Sequence, residues 1–236
     1  MARALGHPHV HLRSTTSTSD RAQALAAAGA PHGTLITAGA QSAGRGRQGR
    51  SWSAPSGQAL LMSVLLRDPP DLLPLAAGVA VARACGPQAR LKWPNDVVLQ
   101  GADGQLRKVA GILAEGRMQE AWAVVGIGVN VAVDVEELPP ELHATAASLG
   151  LPVRDVPAVC ERVLVELEAA LELDTASLLA AWSALDALRG RRVAWAQGAG
   201  VAAGVDGAGR LVVELAGGGH AALDAGEVHL VTERAA

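Results

Sequence analysis

The chain contains no phenylalanine and no tyrosine, only two cysteines, and charged residues amount to 18% of its 236 positions. Aromatics normally supply much of a core's area, so five Trp and many Ala, Leu and Val must fill this one. Cys85 and Cys160 stand far apart and outside any CxxC spacing, which excludes a disulfide framework and fits a reducing compartment. No stretch is long and apolar enough to span a bilayer, and the polar start, Met1 to Asp20, lacks the apolar segment of a signal peptide. A cytoplasmic protein with no membrane partner is the expectation. A net charge of −3 gives no bulk positive field of the kind nucleic acid attracts.

What is present is 50% hydrophobic residues in short patterned runs, enough for one sizeable core or a core plus a small second domain. His7 to Arg13 alternates loosely, as a short strand does. Ser19 and Asp20 read as a helix cap before Arg21 to Ala28, with Gly29 as the stop. Strands are predicted over Thr34–Ala38, Ala59–Leu66, Arg90–Leu99, Lys108–Glu115 and Trp122–Val131. Helices are predicted over Leu72–Ala84, Val159–Leu173 and Ser177–Leu188, the last capped near Thr175. After Gly190, short valine and leucine runs alternate with glycine turns at Asp206–Arg210 and Gly217–His220. That texture suggests about five short strands in a small barrel. The expected organisation is an α/β (α+β) domain over 1–188 and a small β-domain over 189–236.

Four stretches carry chemistry. Gly44-Arg45-Gly46-Arg47-Gln48-Gly49-Arg50, with Trp52 beyond it, joins glycines that let backbone approach an anion to guanidinium forks suited to phosphate or carboxylate. Three arginines in six residues should repel one another unless a polyanion sits among them; a solvated basic loop is the competing reading. Lys92-Trp93-Pro94-Asn95-Asp96 packs polar groups against a strand, either as a site wall or as a turn at a strand end. Lys108 opens the apolar run Val109-Ala110-Gly111-Ile112-Leu113, where its stem can be buried and its ammonium held over a pocket, or simply snorkel. Gly126-Ile127-Gly128-Val129-Asn130 places glycines in a strand, which marks either close packing or close approach of a ligand. His7, His9 and His11 would share a strand face, but no neighbouring acid or Cys completes a metal site.

In order and spacing these stretches resemble biotin–protein ligases, whose marks are a GRGRxGR loop followed by Trp, then KWPND, KxAGIL and GIGxN. Ser14 to Asp20 resembles the family's biotin-contacting turn, and Ala225 to Leu230 the end of its C-terminal SH3-like barrel, so the likeness runs the length of the chain. It implies a mixed-sheet catalytic domain with that barrel appended. It further implies an ATP-dependent ligase that makes biotinyl-5′-AMP and passes biotin to a lysine of a biotin carboxyl carrier protein.

Carried over residue by residue, the resemblance puts Ser17, Thr18, Ser19, Gln41, Arg45, Gly46, Arg47 and Lys108 around biotin. The family usually has Asn where this chain has Ser19, a shorter hydrogen-bonding arm. Arg45, Arg47, Trp52, Lys92, Asn95, Asp96 and Asn130 fall on the ATP side, with Mg²⁺ near Asp96, and Lys108 and Arg47 are the catalytic candidates. A lipoate or octanoate transferase of the same superfamily and a non-catalytic biotin-binding protein are the rival readings. Family members that also repress transcription carry an N-terminal DNA-binding domain. Sixteen residues before Ser17 are too few for three helices, so no DNA partner is expected. The family includes monomers and dimers, which leaves a homodimer open.

Overall fold

The computed structural model describes residues 5–117, 121–224, 226 and 228–231. In chain order its elements are β1 (His9–Leu12), α1 (Thr18–Ala27), β2 (Leu35–Ala38), β3 (Gly44–Arg45), β4 (Ser51–Trp52), β5 (Ala59–Arg67) and α2 (Leu73–Cys85). These are followed by β6 (Arg90–Lys92), β7 (Asp96–Gln100), β8 (Leu106–Arg117), β9 (Trp122–Asn130), α3 (Val156–Leu171) and α4 (Thr175–Leu185). The chain closes with β10 (Arg192–Trp195), β11 (Gly198–Val205), β12 (Leu211–Glu214), β13 (His220–Leu223) and β14 (His229–Leu230).

Seven strands form a mixed sheet in the order β1-β2-β5-β9-β8-β7-β6. Only β1 and β2 pair in parallel, joined over the sheet by α1; each remaining neighbour pair is antiparallel. Alternation along β5 decides which residues meet which layer. Met62, Val64 and Leu66 join the large apolar cluster with α2, α3 and Trp182 of α4. Leu65 faces the other side and packs with Ile36, Val124 and the Ala22 and Ala26 of α1. α1 covers only part of that second face, and the cavity described below opens on the remainder.

The five C-terminal strands form an antiparallel sheet in the order β13-β12-β11-β10-β14, consistent with the expected SH3-like unit. Their buried Val193, Leu211 and Val213, with Val228 just before β14, belong to the same apolar cluster as α2, and Trp93 Nε1 donates to the Gly209 carbonyl across 3.1 Å. Residues 225 and 227 of the run resembling the barrel's end lie outside the described residues.

Several predicted boundaries move. Ser17, not Ser19 or Asp20, caps α1, accepting from the Asp20 N–H at 3.4 Å. Asp174 rather than Thr175 caps α4, its Oδ1 accepting from the Ser177 N–H at 2.7 Å. The single strand predicted over Arg90–Leu99 is two strands, β6 and β7, folded back so that Lys92 pairs with Asp96. Turn chemistry at Pro94 and Asn95 prevails there over the apolar run.

At the end of α4, Asp186 Oδ1 accepts from the Leu188 N–H at 2.8 Å, whereas its buried Oδ2 has no partner. Burial, partly offset by two backbone donors and Arg189, raises the Asp186 pKa above the ordinary carboxylate range. An acid raised on folding binds an extra proton in the native state, so stability falls as pH climbs from the unfolded to the folded pKa. Asp186→Asn removes that penalty while keeping an acceptor for Leu188. The variant should melt roughly 2–4 °C higher at neutral pH, with the gap closing as pH falls through the carboxylate range. A wild type that melts higher at neutral pH would contradict this.

Candidate functional site

A cavity of about 410 Å³ opens on the α1 side of the sheet, and all thirteen residues singled out above line it. They arrive from six separate pieces of the fold: the start of α1, the Gln41 loop, the β3–β4 hairpin, the β6–β7 turn, β8 and the end of β9.

The floor is built by register. Gly111 of β8 stands opposite Gly128 of β9. A Cβ at Gly111 would lie 3.0 Å from the Trp52 ring, and one at Gly128 would lie 2.5 Å from it. The indole therefore rests directly on sheet backbone, and a side chain at Gly128 would drive it off. Gly126, two residues back, makes the same allowance for the Ser19 hydroxyl, which a Cβ would approach to 2.4 Å.

Lys108 reaches this floor through a β-bulge. Val97 of β7 pairs with Ala110 while Val98 pairs with Lys108, so β8 carries one extra residue at Val109. In an unbroken strand Lys108 and Gly111, an odd number apart, would point to opposite faces. The extra residue reverses that phase and turns Lys108 toward the cavity. Its ammonium sits 2.7 Å from Asp96 Oδ1 and 5.5 Å from the centre of the Trp52 ring. An ammonium has three donors, so the Asp96 pair leaves capacity for an anion.

Two polar atoms beside this group are buried without partners, Trp52 Nε1 and Asn130 Oδ1. Asn130 is 4% exposed and spends its Nδ2 on the Ala147 carbonyl at 2.9 Å, which leaves the oxygen to be satisfied. Such orphans are costly. A ligand offering one acceptor and one donor would relieve both.

The basic loop differs from the expectation of three mutually repelling arginines. Arg45 is held by carboxylates, its Nε lying 3.0 Å from Asp20 Oδ1 and its Nη2 bonded to Glu115. Gln23 Nε2 steadies Glu115 from the other side at 3.0 Å. Neither Asp20 nor Glu115 was singled out from the sequence, because their pairing depends on α1 and β8 converging. At Arg47 repulsion persists: burial first, and then Arg50, lower its pKa, with Asp96 opposing them. An anion among these groups would stabilise the charged Arg47.

On the hydroxyl side, the Thr18 N–H donates to Gln41 Oε1 at 2.6 Å and the Thr18 hydroxyl to the same atom at 2.9 Å. Ser63 of β5, buried behind them, went unnoticed in the sequence because a lone serine in an apolar run carries no signal. Asn95 is partly committed to structure, its Nδ2 donating to the Ile112 carbonyl at 3.0 Å. Gly226, Val228 and His229, at and just before β14, also line the cavity, a contribution that sequence reading missed. His9 and His11 both lie 2.8 Å from the Thr37 hydroxyl, on the outer strand and away from the cavity. Burial pushes the Cys85 thiol up to about 12 and the Cys160 thiol up to about 11, so neither is a ready nucleophile.

The chain is similar in sequence and fold to known proteins of one family. Residues 11–132 match the model of the biotin/lipoate A/B protein ligase family. The bifunctional ligase/repressor BirA of Bacillus subtilis is 39% identical over 148 residues, 57% of this chain and 43% of that protein. The biotin–[acetyl-CoA-carboxylase] ligase of Mycobacterium tuberculosis is 38% identical over 169 residues, 66% of this chain and 60% of that one. The chain thus spans 43% to 60% of the length of these curated relatives. Among solved structures, the biotin protein ligase of Aquifex aeolicus in complex with biotin and ATP superposes with a TM-score of 0.76 at 27% identity, covering 95% of this chain and 99% of that one. With half of its length matched by the family model and the site motifs gathered in one cavity, the chain belongs to the biotin/lipoate A/B protein ligase family.

Proposed function

We propose that this protein activates biotin with ATP and transfers it to a lysine of a biotin carboxyl carrier protein. The observation that carries the reading is the bulge-turned Lys108, poised over Trp52 between a hydroxyl and amide wall on one side and two orphaned polar atoms on the other.

In the first step a biotin carboxylate oxygen attacks the ATP α-phosphorus, and the bond from that phosphorus to the β-phosphate oxygen breaks, releasing pyrophosphate. In the second, a carrier lysine amine attacks the acyl carbon of biotinyl-5′-AMP. The acyl–oxygen bond breaks, AMP leaves, and the amine loses its proton. No protein nucleophile is required, so the work is positioning and charge stabilisation. Lys108 neutralises the biotin carboxylate and the α-phosphate as they approach, with Asp96 holding its ammonium in place. Arg47 supports the phosphates, and Arg45, tied to Asp20 and Glu115, serves mainly to anchor the loop that carries it.

Trp52 stacks on adenine, whose exocyclic amine matches the free Asn130 oxygen. Lys92 and Asn95 flank the nucleotide. Asp96 is the only carboxylate among the described residues lining the cavity. That donor set suits a Mg²⁺ carried in by nucleotide phosphates, since Mg²⁺ commonly takes one or two carboxylates plus phosphate oxygens. When bound, the ion would add charge neutralisation at the phosphates.

A lipoate or octanoate transferase is less favoured, because the polar wall at Thr18 and Gln41 suits a hydrogen-bonding head group better than a plain acyl chain. Repression, which the names of some relatives carry, is not part of the proposal, since a net charge of −3 offers no general attraction to DNA. The direct test is transfer of labelled biotin to a purified carrier domain in the presence of ATP. Label on the carrier lysine supports the proposal; equal labelling by lipoate or octanoate, or none at all, defeats it.

Two expectations follow for the site. Lys108→Ala should slow biotinyl-5′-AMP formation by roughly 10²–10³, the usual cost of losing one preorganised donor, without unfolding the protein. Lys108→Arg should recover little, because a planar fork does not replace a point charge. Near-normal adenylation by folded Lys108→Ala would remove Lys108 from the mechanism. Trp52→Ala should raise the KM for ATP roughly ten- to hundredfold, as lost base stacking does, with a much smaller effect on biotin. Gly128→Ala, by displacing the indole, should give the same pattern, whereas equal effects on both substrates would assign Trp52 to structure alone.

A further inference from the structure

Along β5 every side chain but one from Ala59 to Leu66 is apolar, and the exception, Ser63, is 0% exposed. It pairs with Gly126 on one side and Ile36 on the other. Ser63 is not among the residues lining the cavity; it lies one layer behind Thr18 and Ser19, which are. Ser63 Oγ is 2.9 Å from Thr18 Oγ1 and 3.2 Å from Ser19 Oγ, and Thr18 Oγ1 is in turn 2.9 Å from Gln41 Oε1.

One backbone group fixes the direction of every proton in this chain of contacts. The Thr18 N–H lies 2.6 Å from the Gln41 side chain and can only donate, so the atom it meets is the amide oxygen. That oxygen has no proton, and the Thr18 hydroxyl must therefore donate to it. With its one proton used, Thr18 can only accept from Ser63. Ser63, its own proton used, can only accept from Ser19. The protons run in one direction, from Ser19 through Ser63 and Thr18 to Gln41.

We infer that Ser63 is a positioning residue that sets the hydrogen-bond polarity of the acid-substrate pocket. With all three hydroxyl protons aimed along the relay, Thr18 and Ser19 offer the cavity acceptors, while Gln41 offers a donor through its Nε2. That pattern selects a head group with N–H donors beside a carbonyl, the edge of a cyclic urea. The inference rests on the biotin reading above and adds the group that enforces it. Without the Ser63 oxygen, the Ser19 proton is released to turn toward the cavity, placing a donor against a ligand donor. The methyl-free space above Gly126 is what admits Ser19 to the relay, since a Cβ there would stand 2.4 Å from its hydroxyl.

The test measures biotin binding by calorimetry on the full chain, together with steady-state constants for ATP. Ser63→Ala removes the relay oxygen, and Ser63→Cys fills the space with a much weaker donor. Both should raise the Kd for biotin about tenfold, the scale of one lost hydrogen bond and a mispaired neighbour. The KM for ATP and kcat should stay within about twofold. Ser63→Thr, which keeps a hydroxyl, should bind biotin within about threefold of wild type. If folded Ser63→Ala or Ser63→Cys binds biotin as wild type does, Ser63 has no such role. The same holds if biotin and ATP constants move together, as a packing defect would make them. A wild-type chain that binds no biotin would overturn both this inference and the function proposed above, whereas normal wild-type binding with unaffected variants overturns this inference alone.

Discussion

Everything at the site depends on one close approach, that of the Trp52 indole to the bare backbone of β8 and β9. Antiparallel pairing sets Gly111 beside Gly128, and the missing side chains leave a flat patch of sheet where an aromatic ring can lie. Because Trp52 belongs to β4, its seat on that patch also places the β3–β4 hairpin and the arginines it carries. Lys108 then takes its position above the ring through the bulge at Val109. A slip of β8 by one residue against β9 would turn Gly111 to the far face and bring Ala110 or Ile112 up beneath the ring.

Charge in the cavity is arranged in advance rather than left to the ligand. Lys108 is paired with Asp96, and Arg45 is held between Asp20 and Glu115. These pairs keep cations in place without requiring them to be far from one another. At Arg47, burial and then repulsion from Arg50 disfavour the charge, with Asp96 opposing them. An anion at Arg47, where the proposed nucleotide phosphates would sit, would offset that burial and repulsion. The opposite end of the cavity is neutral and hydrogen-bonding, suited to an uncharged polar head group. One end for anions and one for a polar neutral ring is the division an acyl-adenylating site needs.

Much of this was legible in the chain. Apolar periodicity located α2, β5, β8 and β9 within a few residues, and the glycine texture after Gly190 announced a small all-β unit. The four polar motifs named nine of the residues that the fold gathers around a single cavity, and the family resemblance added Ser17, Thr18, Ser19 and Gln41. What escaped was set by tertiary register. Ser63 has meaning only once β5 lies beside β9 and beneath α1, and the partners of Arg45 come from elements distant in sequence. Local chemistry also prevailed over pattern twice. The Pro94–Asn95 turn split an apparently continuous strand, and Ser17, extended in its backbone, took the helix cap while Ser19 lies inside α1.

The central claim is that this cavity joins biotin to the α-phosphate of ATP. Biotin-dependent exchange of labelled pyrophosphate into ATP by the purified chain measures that step without the acceptor protein. Exchange that requires biotin, and that octanoate or lipoate does not support at comparable concentration, is the expected result. A folded, biotin-binding chain that catalyses no exchange, or one that exchanges equally well with octanoate, would contradict the account.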